Sequence, residues 1–373
     1  MSEVLRYVLD TITPASAAHA EGARLHLAKA GTPMLERLGM TVAGAQHTPR
    51  PRADKRTIVV VAGDHGAGDP GISLGASHPT IIAAAAIADG SSALSQIARA
   101  SRAPIVLVAA GVQEKTHLPA MAIELAGKPS ANIAASAELV QLGSSPKGAA
   151  KLGARSIEQL GGRRDAMTLE DAVLGIEAGI ALAISLSEPG PDRPRDLPTQ
   201  PGLDVLALGA IGVGSDVASA ALLGAALGAP VTGLGDPVAE AAAARGADFA
   251  AMRSPTRNKQ RTSESYGLEL LAAFGGPDTA VLAGLILAAA SMNVPVILDG
   301  YATGAAALIA IALAPDVKGY LVAAHNGTFT MPRLLAHLGI QPVFEVGLGH
   351  GEGTGAAMAL PMLDQVAAIA SGA

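Results

Sequence analysis

The sequence predicts an α/β fold: a doubly wound, mostly parallel sheet with helices on both faces, plus a small helical lobe. Six short runs rich in Val, Ile, Leu and Ala each lead into a turn of Gly, Asp, Ala, Ile or His. Ala- and Leu-rich stretches of helical length separate them. Apart from Asp204 and Glu345 the runs are continuously apolar, not alternating, so their strands are covered on both faces, as in a parallel sheet. Alternation of such strands with helices defines the α/β class.

Residues 1–50 show helical spacing and end in a connection, 47–54, with two prolines and two arginines. The runs at 57–62, 104–109 and 203–208 precede Gly63-Asp64-His65-Gly66, Ala110-Gly111-Val112 and Gly209-Ala210-Ile211-Gly212. Those at 294–298 and 319–324 precede Asp299-Gly300 and His325-Asn326-Gly327. The last, 342–346, precedes a glycine-rich loop around Glu352 and a helix over 356–369. The uncharged window 279–298 is long enough for a membrane span, but Asn293 and Pro295 break it; a buried helix followed by a strand explains it better. Residues 188–201, with Pro, Asp and Arg, read as an internal loop. The pattern divides into an N-terminal helical lobe, 1–50, packed with C-terminal helices of 331–373, and a large Rossmann-like α/β domain, 51–330, that contributes the active-site crevice.

Composition excludes several chemistries. A net charge of −6 without a long basic run argues against a nucleic-acid partner, and the Arg253 to Arg261 stretch reads as a solvated loop. The absence of cysteine rules out disulfides, thiol catalysis and Cys-ligated zinc. The charged start is not a signal peptide. The expectation is a soluble, cytoplasmic protein without membrane association.

In parallel sheets ligands lie beyond the carboxyl ends of the strands, which places Asp64, His65, Gly212, Gly214, Asp299, His325 and Glu352 on one crevice. The Gly66-Ala-Gly68-Asp-Pro-Gly71 pattern follows a strand, but Asp69 and Pro70 spoil it as a pyrophosphate loop and the next helix starts only near Pro79. The Gly209–Asp216 segment lacks Gly-Lys-Ser/Thr, which excludes a triphosphate loop. It suits a monophosphate on helix-start amides, or merely close helix–strand packing. No H-E-x-x-H pair or G-x-S-x-G elbow occurs; a metal corner at Asp64, His65 and Asp69 is set aside in favour of a hydrogen-bonded turn. Glu352, in Gly351-Glu352-Gly353-Thr354-Gly355, is either a proton acceptor or an anion complementing a helix dipole.

Taken together, these turns resemble the nicotinate-nucleotide–dimethylbenzimidazole phosphoribosyltransferase family. The similarity rests on Val60-Val-Ala-Gly-Asp-His65-Gly66, Ala166-Met-Thr168, Gly275-Gly276, Val294-Pro-Val-Ile-Leu-Asp299-Gly300, the His325 turn and Gly351-Glu-Gly-Thr-Gly355. The resemblance implies transfer of 5-phosphoribose from nicotinate mononucleotide, or a related donor, to the nitrogen of a benzimidazole-like base. The product is an α-riboside phosphate for cobamide nucleotide-loop assembly. It implies Glu352 as general base, Gly212, Gly214, Ser215, Asp64, His65, Asp299 and His325 on the phosphate and ribose side, and Thr80, His350, Gly351 and Gly353 around the base. It implies no cofactor or metal, since the pyridinium is already an activated leaving group, and it implies a homodimer. The family's phosphate segment, Gly-Glu-Met-Gly-Ile-Gly-Asn-Thr-Thr, differs here at Ala210, Ser215 and Asp216. Those departures frame the alternative: a non-catalytic nucleotide- or base-binding homologue, a sensor or partner of an active paralogue.

Overall fold

The computed structural model describes residues 1–66, 74–119, 166–188, 202–253, 262–327, 330–349 and 351–371. Strands β1 (Arg56–Ala62), β2 (Ile105–Ala109), β3 (Val205–Ile211), β4 (Val296–Leu298), β5 (Leu321–His325) and β6 (Pro342–Phe344) form one sheet. Their order is 2-1-3-4-5-6, and every pair is parallel. The described helices are α1 (Glu3–Thr11), α2 (Ala17–Leu27), α3 (Pro33–Ala45), α4 (Pro79–Ala88), α5 (Ala93–Ala100), α6 (Leu169–Ser187) and α7 (Ser215–Leu227). They continue with α8 (Pro237–Arg253), α9 (Ser263–Phe274), α10 (Pro277–Ser291), α11 (Tyr301–Leu313), α12 (Met331–Leu338) and α13 (Thr354–Ser371).

Because side chains alternate across a strand, a strand apolar at every position feeds two cores. Val59 and Val61 of β1, with Val106, Val108, Leu206 and Leu208, pack under α6, α9, α10 and α11. Ile58, Val60, Ala62, Leu107, Val205 and Ala207 pack under α2 to α5 and α13. A third cluster joins α7, α8, α11 and α12. The first 50 residues divide between the faces: α1 buries Leu5 and Val8 in the first core, whereas α2 and α3 put Leu27, Leu38 and Val42 beside Leu363 and Val366 of α13.

Aromatics make up only 2% of the chain, so backbones approach closely where glycines face one another. A Cβ on Gly284 of α10 would overlap the Ile176 carbonyl of α6, and one on Gly246 of α8 would overlap the Ala221 carbonyl of α7. The uncharged window 279–298 resolves into α10 and β4, as expected. The apolar stretch Pro79–Ala100 is two helices of 10 and 8 residues separated by Asp89 to Ser92, each too short to cross a bilayer.

One boundary differs from the sequence expectation in a way that matters. β3 does not end at Leu208 but runs on through Gly209-Ala210-Ile211, so the first glycine of the phosphate-like segment is strand, not turn. The cause is non-local. β1 pairs with β3 to its end, setting Val60, Val61 and Ala62 opposite Gly209, Ala210 and Ile211. On the other edge β4 stops opposite Leu208, and the glycine loop near the chain's end takes its place: the Ala210 N–H donates to the Gly351 carbonyl at 2.8 Å.

Candidate active site

The chain lays β2 on one side of β1 and then crosses to place β3 on the other. Loops leaving β1 and β3 therefore diverge at their carboxyl ends and open a crevice. Gly63 and Gly212 cross at its floor, where a Cβ on Gly212 would overlap the Gly63 carbonyl. Asp64 ties the turns together. Its Oδ1 accepts from the Val213 N–H at 3.1 Å and from the Thr80 hydroxyl, and its Oδ2 accepts from the Gln113 N–H at 2.8 Å. Asp64 and Thr80 are both buried, so they build the crevice by holding β1, β2, β3 and α4 in register. Their polar atoms face each other.

His65 donates its backbone N–H to the Val213 carbonyl at 2.8 Å, and its Nε2 lies 3.0 Å from Asp278 Oδ2. Burial disfavours the imidazolium, but Asp278, with Asp64 and Asp216 adding to it, outweighs burial and holds the pKa above the ordinary histidine range. Asp278 sits in the first turn of α10 behind Gly276 and Pro277. It is a partner the sequence reading missed, although an acid just inside a Gly-Pro helix start is a recognisable signal.

Gly214, at φ +79°, is the N-cap of α7. The Ser215 hydroxyl donates to the Gly212 carbonyl at 3.3 Å. The first intrahelical bond is Ala218 N–H to Gly214 carbonyl at 3.3 Å, so the N–H groups of Ser215, Asp216 and Val217 precede the ladder, as helix starts require. Asp216 is exposed. Burial, with Asp216 nearby, pushes the Tyr301 phenol well above its usual range, and its buried hydroxyl has no hydrogen-bond partner among the described residues.

Across the crevice, Glu352 is half-buried. Its backbone presses on Gly209, where any Cβ would overlap the Glu352 carbonyl. Among the described residues its carboxylate makes no hydrogen bond or ion pair. Asp299, fully buried, accepts at Oδ2 from the Gly353 N–H at 2.7 Å and at Oδ1 from the Ala356 N–H at 2.6 Å. His325, 1% exposed, accepts the Gly327 N–H on Nδ1 at 2.9 Å. Its Nε2 therefore carries the proton and lies 3.5 Å from Asp299 Oδ1, too far to satisfy it. His78, the N-cap of α4, likewise accepts the Thr80 N–H on Nδ1 at 3.3 Å, and its buried Nε2 has no partner among the described residues. Buried polar groups without partners are rare; among the described residues they are those of Ser187, at the end of α6, and of His78, Tyr301, His325 and Asn326, which stand at the starts of α4 and α11 and at the carboxyl end of β5.

The structure thus brings Asp64, His65, Gly212, Gly214 and Ser215 together at the β1–β3 divergence. Asp299, His325, Gly351, Glu352 and Gly353 meet at the joint of β4, β5 and α13, and the Ala210–Gly351 bond joins the two groups. His350, the Gly66–Gly71 pattern beyond Gly66, the basic run beyond Arg253 and the loop beyond Glu188 lie outside the described residues. No group of three potential metal ligands occurs among the described residues. A cavity of about 610 Å³ lies elsewhere, between α2, α3 and the amino ends of β5 and β6, lined by Met34, Arg37, Leu38, Lys318, Leu321 and Pro342 among others.

The family model described as Phosphoribosyltransferase matches residues 12–373. The nicotinate-nucleotide–dimethylbenzimidazole phosphoribosyltransferase of Desulforudis audaxviator is 31% identical over 376 residues, covering 98% of this chain and 95% of its own. That of Deinococcus radiodurans is 32% identical over 388 residues, at 98% and 93%. A crystal structure of a protein so named from Thermus thermophilus matches this fold with a TM-score of 0.68, at 24% identity, over 95% of this chain and 96% of that one.

Proposed function

Because the chain belongs to the nicotinate-nucleotide–dimethylbenzimidazole phosphoribosyltransferase family, we propose that it moves 5-phosphoribose from nicotinate mononucleotide to a ring nitrogen of a benzimidazole-like base. The C1′–N bond to the pyridinium breaks and its electron pair stays on nicotinate. A new C1′–N bond forms on the opposite face, inverting the anomeric carbon to the α-riboside phosphate. As one azole nitrogen attacks, the other must lose its proton, and Glu352 takes it. Small-molecule nucleotide and base are the partners this chemistry requires.

The observation that supports this reading best is the state of Glu352. Its backbone is fastened between strand ends, yet its carboxylate is half-open and unpartnered among the described residues. A carboxylate serving only to cap a helix would face the amides at the start of α13. Here Asp299 already holds that position. The unpaired amides of Ser215 to Val217 supply a place for the 5-phosphate, with Ser215 and the Gly212–Gly214 turn beside it. The glycines flanking Glu352 let its loop close on the sheet: a Cβ on Gly351 would come 3.3 Å from Gly300 Cα, and one on Gly353 would come 3.4 Å from Ile58 and Leu94. The family likeness further supports a cytoplasmic homodimer, which light scattering would register as a mass of two chains.

Incubation with nicotinate mononucleotide and a panel of azoles, purines and phenols should release nicotinate and yield a ribosylated base. Glu352→Gln should lower kcat by about 10²-fold or more, in the range for losing a general base, while calorimetric affinity for the mononucleotide stays within about twofold. Binding without nicotinate release by the unaltered protein would overturn the catalytic reading.

A further inference from the structure

The family resemblance places Asp299 on the ribose side, yet both of its oxygens already hold backbone amides and the side chain is fully buried. Oδ2 accepts from the residue after Glu352, Gly353, and Oδ1 from Ala356 in the first turn of α13. On the other side of Glu352, Gly351 is held to β3 through the Ala210 N–H. The peptides before and after the proposed base are therefore fastened to two different strand ends, one of them by a carboxylate. The surroundings fit this clamp closely. A Cβ on Gly300 would come 2.5 Å from Gly351 Cα, and one on Gly355 would come 2.6 Å from Asp299 Oδ1 while overlapping the His325 ring. His325 turns its Nε2–H toward Asp299 Oδ1 at 3.5 Å, backing the carboxylate from a wholly buried position.

We propose that Asp299 is the positioning residue for Glu352: its carboxylate fixes the loop so that the base stands at one place above the crevice. This rests on the phosphoribosyltransferase reading. Charge-assisted bonds to backbone amides are short and strong, and the helix start favours the anion. The same rigid placement is what general-base catalysis needs, since a misplacement of about 1 Å can cost about 10²-fold in rate.

A double-mutant cycle tests it. Asp299→Asn keeps the size but sets an NH₂ against one of the two amides, and kcat should fall about 10- to 100-fold with KM for nicotinate mononucleotide unchanged within about twofold. Introduced into Glu352→Gln, the same change should cost less than about threefold more, because a residue acting through another loses its effect when that other is gone. A raised KM, or a full additional loss in the Glu352→Gln background, would overturn the positioning role and return Asp299 to the ribose. Gly355→Ala pushes on the same carboxylate with its charge intact and serves where Asp299→Asn does not fold. Amide exchange reads the clamp without turnover: the Gly353 and Ala356 N–H protons must be protected in the unaltered protein, and an unprotected pair refutes the proposal. An unaltered protein that does not turn over but shows both amides protected refutes the functional reading alone.

Discussion

At the scale of single residues, the consequential feature is how many of the polar side chains at the strand ends face inward. His65 is the sharpest case. Its Nε2 meets Asp278 at 3.0 Å in a buried setting, and the neighbouring carboxylates raise its pKa despite the cost of burial. A histidine whose folded pKa exceeds the unfolded value of about 6.5 adds stability that is complete below that value. The contribution is lost as pH rises through the folded pKa. Urea unfolding at pH 6 and pH 9 should therefore show a larger loss of stability on going alkaline in the unaltered protein than in His65→Gln. Equal losses in the two proteins would mean that the imidazolium–Asp278 pair is not formed. The sequence pointed to His65 but not to Asp278, because the partners lie 213 positions apart and no local pattern joins them. Asp64 and Asp299 were legible as strand-end residues only in part: position shows which turn a side chain occupies, whereas which way it points depends on amides supplied from other turns.

At the scale of elements, apolar runs and glycine turns located all six described strands, since a strand buried on both faces leaves a plain mark in composition, and the half-buried edge strand β6 was marked by the glycine loop after it. β3 escaped at its carboxyl end because both partners there are remote in the chain: β1, through Ala62 opposite Ile211, and the glycine loop, through Ala210 and Gly351. The closeness of helix packing was legible from the Ala and Gly content, though not which glycines meet. Gly284 gives a clear test. In an isolated helix Gly→Ala is favourable by about 1 kcal/mol, but here the added methyl would overlap the Ile176 carbonyl on α6. Backbone cannot swing aside as a side-chain end does, so overpacking of about 1–3 kcal/mol should win. Gly284→Ala should lower the urea midpoint, while Gly349→Ala, which meets nothing within 4 Å, should stay within about 0.5 kcal/mol of the unaltered protein. An unchanged or raised midpoint for Gly284→Ala would show that α6 and α10 can separate without cost.

At the scale of the whole molecule, the connection 47–54 that suggests a lobe boundary in sequence is bound into the sheet. The Gln46 side chain donates to the carbonyls of Arg52 and Asp204 at 2.7 and 2.8 Å, and Lys55 N–H donates to Asp204 Oδ2 at 2.9 Å. Just beyond, Arg56 at the start of β1 is buried and paired with Asp364 of α13. The helices before this connection serve both faces: α1 contributes Leu5 and Val8 to one core, and α2 and α3 contribute Leu27, Leu35, Leu38 and Val42 to the other. Each such aliphatic side chain is worth about 1.5–3 kcal/mol when buried, so the six together rival the whole stability of a typical domain, about 5–15 kcal/mol. Deleting residues 1–50 should therefore abolish folding instead of releasing a working α/β domain. The shortened chain is expected to be recovered without a cooperative urea transition. A soluble fragment of 51–373 with a single sharp transition, and with nicotinate mononucleotide still stabilising it, would show that the sheet closes both cores without its N-terminal helices.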